Sequence, residues 1–330
     1  MKKIFLMVLT ILTLCSLTSC DRGKRVVEDF PTAVSSLDSY KVVGKLYSFF
    51  PSRTKESLIT VYYKNPDLYR VEVDNMDLGD KQIVLKNSDG VHILIPSLNK
   101  TFKVKSSWPL NSSYPYLFQS LSKDMLNDEN KISTHEEETS TVEMKVKVFE
   151  DSMPYKQKII FNNKTGFPNV VLVYDEKENL ITKFTFDKIE LNKDLDNDLF
   201  NDEKTLTSMR EHYQDVVDAY VRSITYPTYY PEGVKLKEEL IKGTTVKTAI
   251  MKYVGESSFT IIEEYLMASD TVVTSFVDGD IYIMGGTFAL INQNSIFFGE
   301  QGVEYTIAST NMNILEMIKM GDSLLVGSEK

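Results

Sequence analysis

From Tyr40 onward the chain alternates apolar and polar side chains, the period of two that is typical of half-buried β-strands. Short segments rich in Asn, Asp, Ser and Pro separate the runs, and Asn87–Gly90 and Pro96–Asn99 have the composition of tight turns. Consecutive strands joined by tight turns form an antiparallel meander. The runs that carry this pattern are 40–47, 57–63, 68–73, 81–86, 91–95 and 100–104.

Two segments among the first 200 residues have helical spacing instead. Residues 26–37 place four apolar side chains on one helical face, with Pro31 in the first turn, where its missing N–H costs nothing. Residues 116–126 form a second amphipathic segment. Strands then resume, so we predict that residues 20–200 form the first domain. The resumed strands are 142–149, 156–161, 170–174 and 181–189.

Residues 192–204 are acidic and rich in Asp and Asn, which predicts a linker and a domain boundary at residue 200. A length of 330 residues also favours two domains. A helix near 205–220, a turn-rich cluster at 226–233 and a closing helix at 311–320 frame a second set of alternating runs. We therefore predict that residues 201–330 form a smaller α+β domain. Its strands are 248–253, 258–265, 272–277, 280–284, 287–292, 295–300 and 303–308.

The N-terminus reads as a signal peptide at residues 1–19, with Lys2 and Lys3 before an apolar run at 4–14 that is too short to span a bilayer. The run ends in Leu-Thr-Ser-Cys, which resembles the bacterial lipobox. This resemblance implies cleavage after Ser19 and acyl chains such as palmitate, on a diacylglycerol, at Cys20. We expect a lipid-anchored protein on the extracytoplasmic face of a membrane. An ordinary signal peptide with a cysteine, or an uncleaved anchor, stays an alternative.

Charge and cysteine content narrow the function. The formal net charge is −10, and loss of residues 1–19 removes Lys2 and Lys3 and brings it to −12, which argues against nucleic acid and against electrostatic binding to anionic lipid. The two cysteines are Cys15 and Cys20, so the mature chain has no thiol for a disulfide or a thiolate metal site.

The residues of the mature chain suggest no catalytic site, metal site or cofactor. His92, His135 and His212 are scattered without metal-ligand spacing, and no nucleophile motif accompanies them. The alternating aspartates of 194–198 begin like a calcium loop but lack its glycine and closing glutamate. We therefore expect a protein that is not an enzyme.

Two stretches carry a family likeness. Residues 64–70 read Lys-Asn-Pro-Asp-Leu-Tyr-Arg, and residues 90–96 form a Gly-to-Pro hairpin. Both resemble the outer-membrane lipoprotein carrier superfamily, which includes LolA, LolB and RseB-like proteins. This resemblance covers about residues 26–200 and implies an α+β fold: a curved antiparallel half-barrel plugged by helices, here followed by the smaller α+β domain. Residues 108–121 resemble the Gram-positive branch, which includes the spore germination lipoprotein GerS and related sporulation lipoproteins.

The likeness and the composition suggest candidate ligand-binding residues. Arg70, within the family motif, is placed to seal the half-barrel by bonding backbone or a helix-borne acceptor, although an exposed strand cation is an equal alternative. The aromatic candidates would line the concave face and accept acyl chains or an apolar partner segment, or would simply pack the core. They include Tyr63, Tyr69, Trp108 and Phe118.

The function expected from these features is non-enzymatic binding of an apolar ligand or of an envelope partner protein by a membrane-anchored lipoprotein, in sporulation or germination. Three alternatives stay open: a lipid or lipoprotein carrier, a scaffold for a peptidoglycan-modifying enzyme, and an RseB-like regulator of an anti-sigma factor. The sequence does not separate them.

Overall fold

The computed structural model describes residues 23–51, 53–75, 80–96, 100–149, 155–213, 224–243, 247–265, 273–300 and 302–326. The predicted signal peptide and Cys20 lie outside these ranges. The chain first forms helix α1 (23–35) and then a run of antiparallel strands. These are β1 (Ser39–Phe49), β2 (Thr54–Lys64), β3 (Leu68–Asn75), β4 (Asp80–Asn87), β5 (Gly90–Ile95) and β6 (Lys100–Lys105).

A second helix, α2 (Phe118–Asn127), precedes five more strands. They are β7 (Ile132–His135), β8 (Thr139–Val146), β9 (Tyr155–Asn162), β10 (Pro168–Tyr174) and β11 (Leu180–Leu191). A 3-10 turn (Asn197–Phe200) and helix α3 (Asp202–Tyr213) follow. The remaining elements are β12 (Lys235–Lys242), β13 (Thr248–Val254), β14 (Phe259–Tyr265), β15 (Val273–Asp278), β16 (Asp280–Met284), β17 (Thr287–Asn292), β18 (Ser295–Glu300), β19 (Val303–Ala308) and helix α4 (Ile314–Val326).

Two sheets contain all of these strands. The larger has twelve strands in the order β15-β6-β5-β4-β3-β2-β1-β11-β10-β9-β8-β7. Its pairings are antiparallel except that of β15 with β6, which is parallel. The second sheet has seven strands in the order β12-β13-β14-β19-β18-β17-β16, all paired antiparallel. We call the twelve-stranded sheet with α1 and α2 the half-barrel, and the seven-stranded sheet with α4 the C-terminal unit.

Ring contacts show that the larger sheet curves around its two helices. Phe30 of α1 lies 6.0 Å from Phe118 of α2 and 5.1 Å from Phe161 of β9, measured between ring centroids. Phe118 also stands 4.7 Å from Tyr40 of β1. Burying a large apolar side chain contributes roughly 1.5–3 kcal/mol, so this shared core fixes both helices on the concave face. The α+β half-barrel expected from the sequence is therefore confirmed.

The segment 192–204 is packed against the half-barrel, which corrects the prediction of a linker. Leu195 and Phe200 are buried, and the Lys64 ammonium donates to the Leu195 carbonyl at 2.7 Å. The Asn87 amide donates to the Phe200 carbonyl at 3.0 Å. Asp and Asn here form turns and caps, and Asp196 caps the 3-10 turn. The Asp and Asn residues of this segment therefore stabilise turns in a packed segment rather than form a solvated linker.

The predicted boundary at residue 200 does not separate the packing of the two parts. Leu206 of α3 packs on the convex face of the larger sheet against Ile83, Leu85 and Leu94. Strand β15, from the second part of the chain, pairs with β6 at the edge of the same sheet. The division into domains at 20–200 and 201–330 stays a prediction. Two elements from the second part, α3 and β15, pack on or pair with the larger sheet.

Most predicted elements are present, with shifted ends. The alternation does not predict β7 and β12, and the strand predicted at 142–149 lies at Thr139–Val146. The helix predicted at 205–220 begins earlier, at Asp202, and residues 214–223 lie outside the described ranges. In the part of the chain that the structure describes, the helices are too short or too polar to cross a membrane.

Candidate functional site

Four predicted site residues lie in one continuous aromatic cluster on the concave face. Ring centroids are 5.0 Å apart for Tyr63 and Tyr69 and 5.8 Å apart for Tyr69 and Trp108. Tyr40 connects Tyr63 to Phe118, at 5.2 and 4.7 Å. The most exposed of the four predicted residues, Tyr63, keeps only 6% of its surface exposed. These rings pack against one another and fill the concave face, and ligand binding by them stays a prediction.

Burial in this cluster also sets its chemistry. Burial raises the pKa of Tyr69 well above its usual range, and the neighbouring Tyr63 and Asp67 add smaller increases. Burial likewise raises the pKa of Tyr40 and Tyr116. The hydroxyls are therefore neutral at physiological pH. The rings of this cluster are therefore uncharged and packed as a core.

Arg70 lies apart from the aromatic cluster, on the convex face. Its Nε donates to Glu72 Oε1 at 2.6 Å, and its Nη1 donates to the Leu199 carbonyl at 2.9 Å and to Thr205 Oγ1 at 2.8 Å. Thr205 belongs to α3, so the arginine bonds both backbone and a helix-borne acceptor. The side chain joins the sheet to the packed segment before α3 and to α3 itself. Binding of a ligand by Arg70 stays a prediction.

A cleft that the sequence does not predict lies between the half-barrel and the C-terminal unit. Its volume is about 1290 Å³. The half-barrel supplies Tyr155, the turn Asp175–Asn179 and the end of β6. The C-terminal unit supplies the chain between β15 and β16 and the start of α4. The lining residues that matter below are Asn111, Phe149, Lys177, Asp278, Asn292 and Glu316.

The cleft surface combines charged, amide and apolar side chains. Lys319 Nζ lies 2.8 Å from Glu316 Oε1, and Tyr229 donates to the other oxygen of that carboxylate. Burial opposes ionisation of Glu316, but these two hydrogen bonds keep its pKa below the usual value. Asp175 has a lowered pKa because donors of its own turn, Asn179 and Lys177 N–H, outweigh its burial. Both carboxylates are thus anionic at neutral pH.

Buried polar contacts hold the two walls of the cleft at a fixed distance. Arg53, in the β1–β2 hairpin, forms a bidentate ion pair with Asp322 of α4, at 2.5 Å from Nη2 to Oδ1 and 3.1 Å from Nε to Oδ2. The Asp322 side chain is 2% exposed. Burial raises its pKa, and Arg53 partly offsets that shift. Lys100 of β6 forms a further ion pair with one carboxylate oxygen, Oε1, of Glu304 in β19.

Gln82 of β4 makes the most specific of these contacts. Its Nε2 donates to the Gly299 carbonyl at 2.7 Å, and its Oε1 accepts from the Phe288 N–H at 2.9 Å. The carboxamide therefore binds like a peptide group between β17 and β18. Aromatic contacts support it, with Phe102 4.8 Å from Phe297 and Phe149 5.3 Å from Tyr282.

The histidines and aspartates singled out from the sequence do not converge. His92 Nδ1 lies 3.2 Å from Asp202 Oδ2, and burial lowers its pKa although Asp202 opposes that shift. His135 Nδ1 lies 3.2 Å from Ser140 Oγ. The side chain of His212 lies outside the described residues. Across the described ranges, no three His, Cys, Asp or Glu side chains form a metal-binding group.

Comparison with known proteins identifies the family. The family described as sporulation protein YdcC-like matches residues 1–200. Sporulation protein YdcC of Bacillus subtilis (strain 168) is 32% identical over 342 aligned residues, which cover 100% of this chain and 99% of that protein. The chain belongs to the sporulation protein YdcC-like family. A sporulation-related relative, expected from the sequence, is thereby confirmed, while the narrower likeness to germination lipoproteins stays a prediction.

Solved structures show weaker likenesses to this YdcC-like protein. The complex of MucA and MucB from Pseudomonas aeruginosa has a chain with 15% identity and a TM-score of 0.33, covering 93% of this chain and 98% of that one. A LolA superfamily protein of Nitrosomonas europaea has 12% identity and a TM-score of 0.32, covering 55% and 98%. The fold of the YdcC-like chain rests on its own strand order and packing rather than on these likenesses.

The cleft of the YdcC-like chain cannot be predicted from local sequence patterns, because its lining residues come from turns that lie far apart in the chain. The turn Asp175–Asn179 and the β17–β18 turn at Asn292 are recognisable as turns from their Asp, Asn and Lys content. That content is the same in any solvated turn. The pairing of β15 with β6 and the contacts of Gln82 and Arg53 bring these turns together, and none of these is visible in the sequence.

Proposed function

We propose that this YdcC-like protein is a lipid-anchored, extracytoplasmic binding protein of the cell envelope that holds a polypeptide partner in the cleft during sporulation. One observation carries the proposal. The aromatic cluster fills the concave face, whereas the cleft offers about 1290 Å³ beside it. A ligand would have to displace the protein's own rings to occupy the concave face, but it can enter the cleft directly.

The chemistry of the cleft favours a polypeptide over an acyl chain. An acyl chain is held by a dry, apolar wall, since each buried polar group without a partner costs free energy. The cleft instead presents the charged side chains of Lys177 and Asp278 beside Phe149, together with Asn111 and Asn292, whose amide oxygens already accept hydrogen bonds from within the chain. Protein interfaces combine aromatic anchors with polar groups in this way. A polypeptide segment supplies charged and polar side chains that can pair with Lys177 and Asp278.

A binding role also agrees with the way that two polar groups of the described cleft lining, Ser106 and Glu316, are engaged by hydrogen bonds within the chain. Catalysis requires a nucleophile or a base held within hydrogen-bond reach of the reacting group. No histidine belongs to the described lining, and Ser106 Oγ accepts a bond from the Trp108 N–H at 3.2 Å. Glu316 is engaged by Lys319 and Tyr229.

Anchoring is the second part of the proposal. The Leu17–Cys20 sequence after a short apolar run supports acylation of Cys20, and the mature chain has no other cysteine. Acyl chains at Cys20 would keep the protein on the extracytoplasmic face of the membrane. The partner would then be another envelope protein, and a peptidoglycan-modifying enzyme fits that description.

The first test of the proposal asks whether the purified protein contains a bound lipid. A protein spanning residues 21–330, purified from the envelope without detergent, is analysed by native mass spectrometry. We expect the mass of the empty chain. A stoichiometric lipid would contradict the proposal and establish a carrier.

The second test locates the partner. A photo-crosslinking amino acid replaces Lys177 in the cleft or, as a control, Thr165 in the turn at the other end of β10; both side chains are exposed. In sporulating cells we expect one discrete protein adduct from position 177 and none from position 165. Equal adducts from both positions would place the contact outside the cleft.

A further inference from the structure

The proposed anchor is tied closely to the folded body. Only Asp21 and Arg22 lie between Cys20 and Gly23, where α1 begins. Three Cα-to-Cα steps span at most roughly 10–11 Å, because an extended chain covers about 3.3–3.6 Å per residue. A lipid on Cys20 therefore holds Gly23 within that distance of the acylated residue.

Gly23 occupies a defined place at one end of the half-barrel. A Cβ added there would lie 2.6 Å from Ser140 Oγ, 3.1 Å from His135 Cβ and 3.3 Å from Asn163 Nδ2. His135 ends β7, Ser140 lies near the start of β8, and Asn163 follows β9. Such close approach leaves room only for glycine. We call the residues Gly23, His135, Ser140 and Asn163 the anchor end.

The cleft lies at the opposite end of the same strands. Strand β9 runs from Tyr155, which lines the cleft, to Asn162 at the anchor end, and it contains eight residues. At about 3.3 Å per residue this strand separates the two ends by roughly 23 Å. The turn Asp175–Asn179 also lines the cleft, and β10 runs from Pro168 to Tyr174 beside β9. The separation is about twice the reach of the tether.

Charge does not override this geometry. The first turn of α1 carries Lys24 and Arg25, which anionic lipid attracts, whereas the β7–β8 turn beside it carries Glu136, Glu137 and Glu138, which anionic lipid repels. Lys24 also pairs with Glu28 at 3.7 Å. The positive and negative charges at the anchor end therefore have opposite effects on binding to anionic lipid. The short tether and its attachment point therefore orient the body.

We infer that the protein stands on the membrane with its anchor end toward the bilayer and its cleft about 20 Å farther out, facing away from the lipid. This inference rests on the acylation of Cys20 proposed above. A bilayer lipid does not reach the cleft in this orientation. The occupant is a polypeptide segment that approaches from the side away from the membrane surface.

Single-cysteine labelling measures the orientation directly. Thr165→Cys and Lys177→Cys each place a donor fluorophore at an exposed position in one of the two turns that flank β10. Cys20 is acylated, so no other thiol of the mature chain reacts. The full protein with its own lipid is inserted in vesicles of phosphatidylethanolamine and phosphatidylglycerol that carry headgroup acceptors. Energy transfer should be strong from position 165 and weak from position 177.

The possible outcomes distinguish a wrong orientation from a missing acyl anchor at Cys20. Equal transfer from both positions on vesicle-bound protein means that the body lies on its side, and transfer that is stronger from Lys177→Cys means that it is inverted; either result overturns the inference alone. Unlabelled parent protein that does not stay on the vesicles overturns the acylation, and the inference with it. Urea unfolding that matches the parent for both variants confirms that the labels report on the native body.

Discussion

Replacement of Gln82 should disconnect the two walls of the cleft. The side chain is 1% exposed, and its carboxamide bonds the Phe288 N–H and the Gly299 carbonyl of the C-terminal unit. Gln82→Leu keeps the apolar stem but removes both bonds. The Phe288 N–H then has no acceptor, whereas the Gly299 carbonyl keeps its bond from Thr287 Oγ1 at 2.9 Å. The two losses are therefore unequal.

The magnitude follows from that inequality. A buried donor left without an acceptor costs about 1–3 kcal/mol, and a hydrogen bond lost from a carbonyl that keeps another costs about 1 kcal/mol. Gln82→Leu should thus lower the free energy of unfolding by about 2–4 kcal/mol, a large part of the roughly 5–15 kcal/mol typical of a domain. Gln82→Glu adds a pH signature, because a protonated carboxyl can still donate to the Gly299 carbonyl.

The sign of that pH dependence is fixed by burial. A buried glutamic acid at position 82 has a folded pKa above its unfolded value of about 4.3. Its stabilising contribution is complete below the unfolded pKa and is lost as the pH rises through the folded pKa. Gln82→Glu should therefore unfold at a lower urea concentration at pH 8 than at pH 5, relative to the parent at each pH.

Urea unfolding followed by the fluorescence of Trp108, the single tryptophan, provides the assay. Gln157→Leu is the matched control, since this glutamine is also buried in the half-barrel but its partners, Ser113 and Asp124, belong to the half-barrel. Both leucine variants should lose stability, but only the Gln82 variant should increase hydrogen exchange in β17 and β18. A loss below about 0.5 kcal/mol, the usual size of a surface effect, would refute the reasoning.

Three further changes have expected outcomes. Arg53→Ala should cost about 3 kcal/mol because it leaves the buried Asp322 carboxylate without its bidentate partner, and a double-mutant cycle with Asp322→Asn that shows no coupling by urea unfolding would contradict this. Burial raises the pKa of Asp124 to about 6, so the parent loses stability as the pH rises through about 6, whereas Asp124→Asn should show a flatter profile of unfolding midpoint against pH. Cys20→Ala should move the protein from the membrane fraction to the soluble fraction, and unchanged retention would contradict acylation.

The strands could be predicted wherever one face of the sheet is buried. In β1 and β2 the buried and half-buried positions alternate along nearly the whole strand, and the sequence alternates with them. The pattern is absent from β12, whose eight residues are all exposed, and from β7, whose residues are exposed or half-buried. These are edge strands, and a strand with no buried face leaves no period in the sequence.

The candidate site could be predicted less well, for a related reason. Tyr63 and Tyr69 are expected on the concave face and are buried there, but a buried face has the same sequence pattern whether it packs a core or lines a ligand site. Arg70 alternates out of phase with Tyr69 and therefore lies on the convex face, where α3 covers it. Tyr69 and Arg70 are neighbours in the family motif, but successive side chains of a strand point to opposite faces of the sheet.

The connection between the two sheets bears on which role the cleft can serve. Residues 273–284 pair first with β6 of the half-barrel and then with β17 of the C-terminal unit, and Gly279 joins the two pairings with a φ of +151°. A Cβ at Gly279 would lie 2.7 Å from the Ile291 carbonyl oxygen, so the chain passes close to β17 at this point. Opening the cleft would break one of these ladders as well as the contacts of Gln82 and Arg53. A segment that binds between walls already held in place costs little free energy of ordering in the protein.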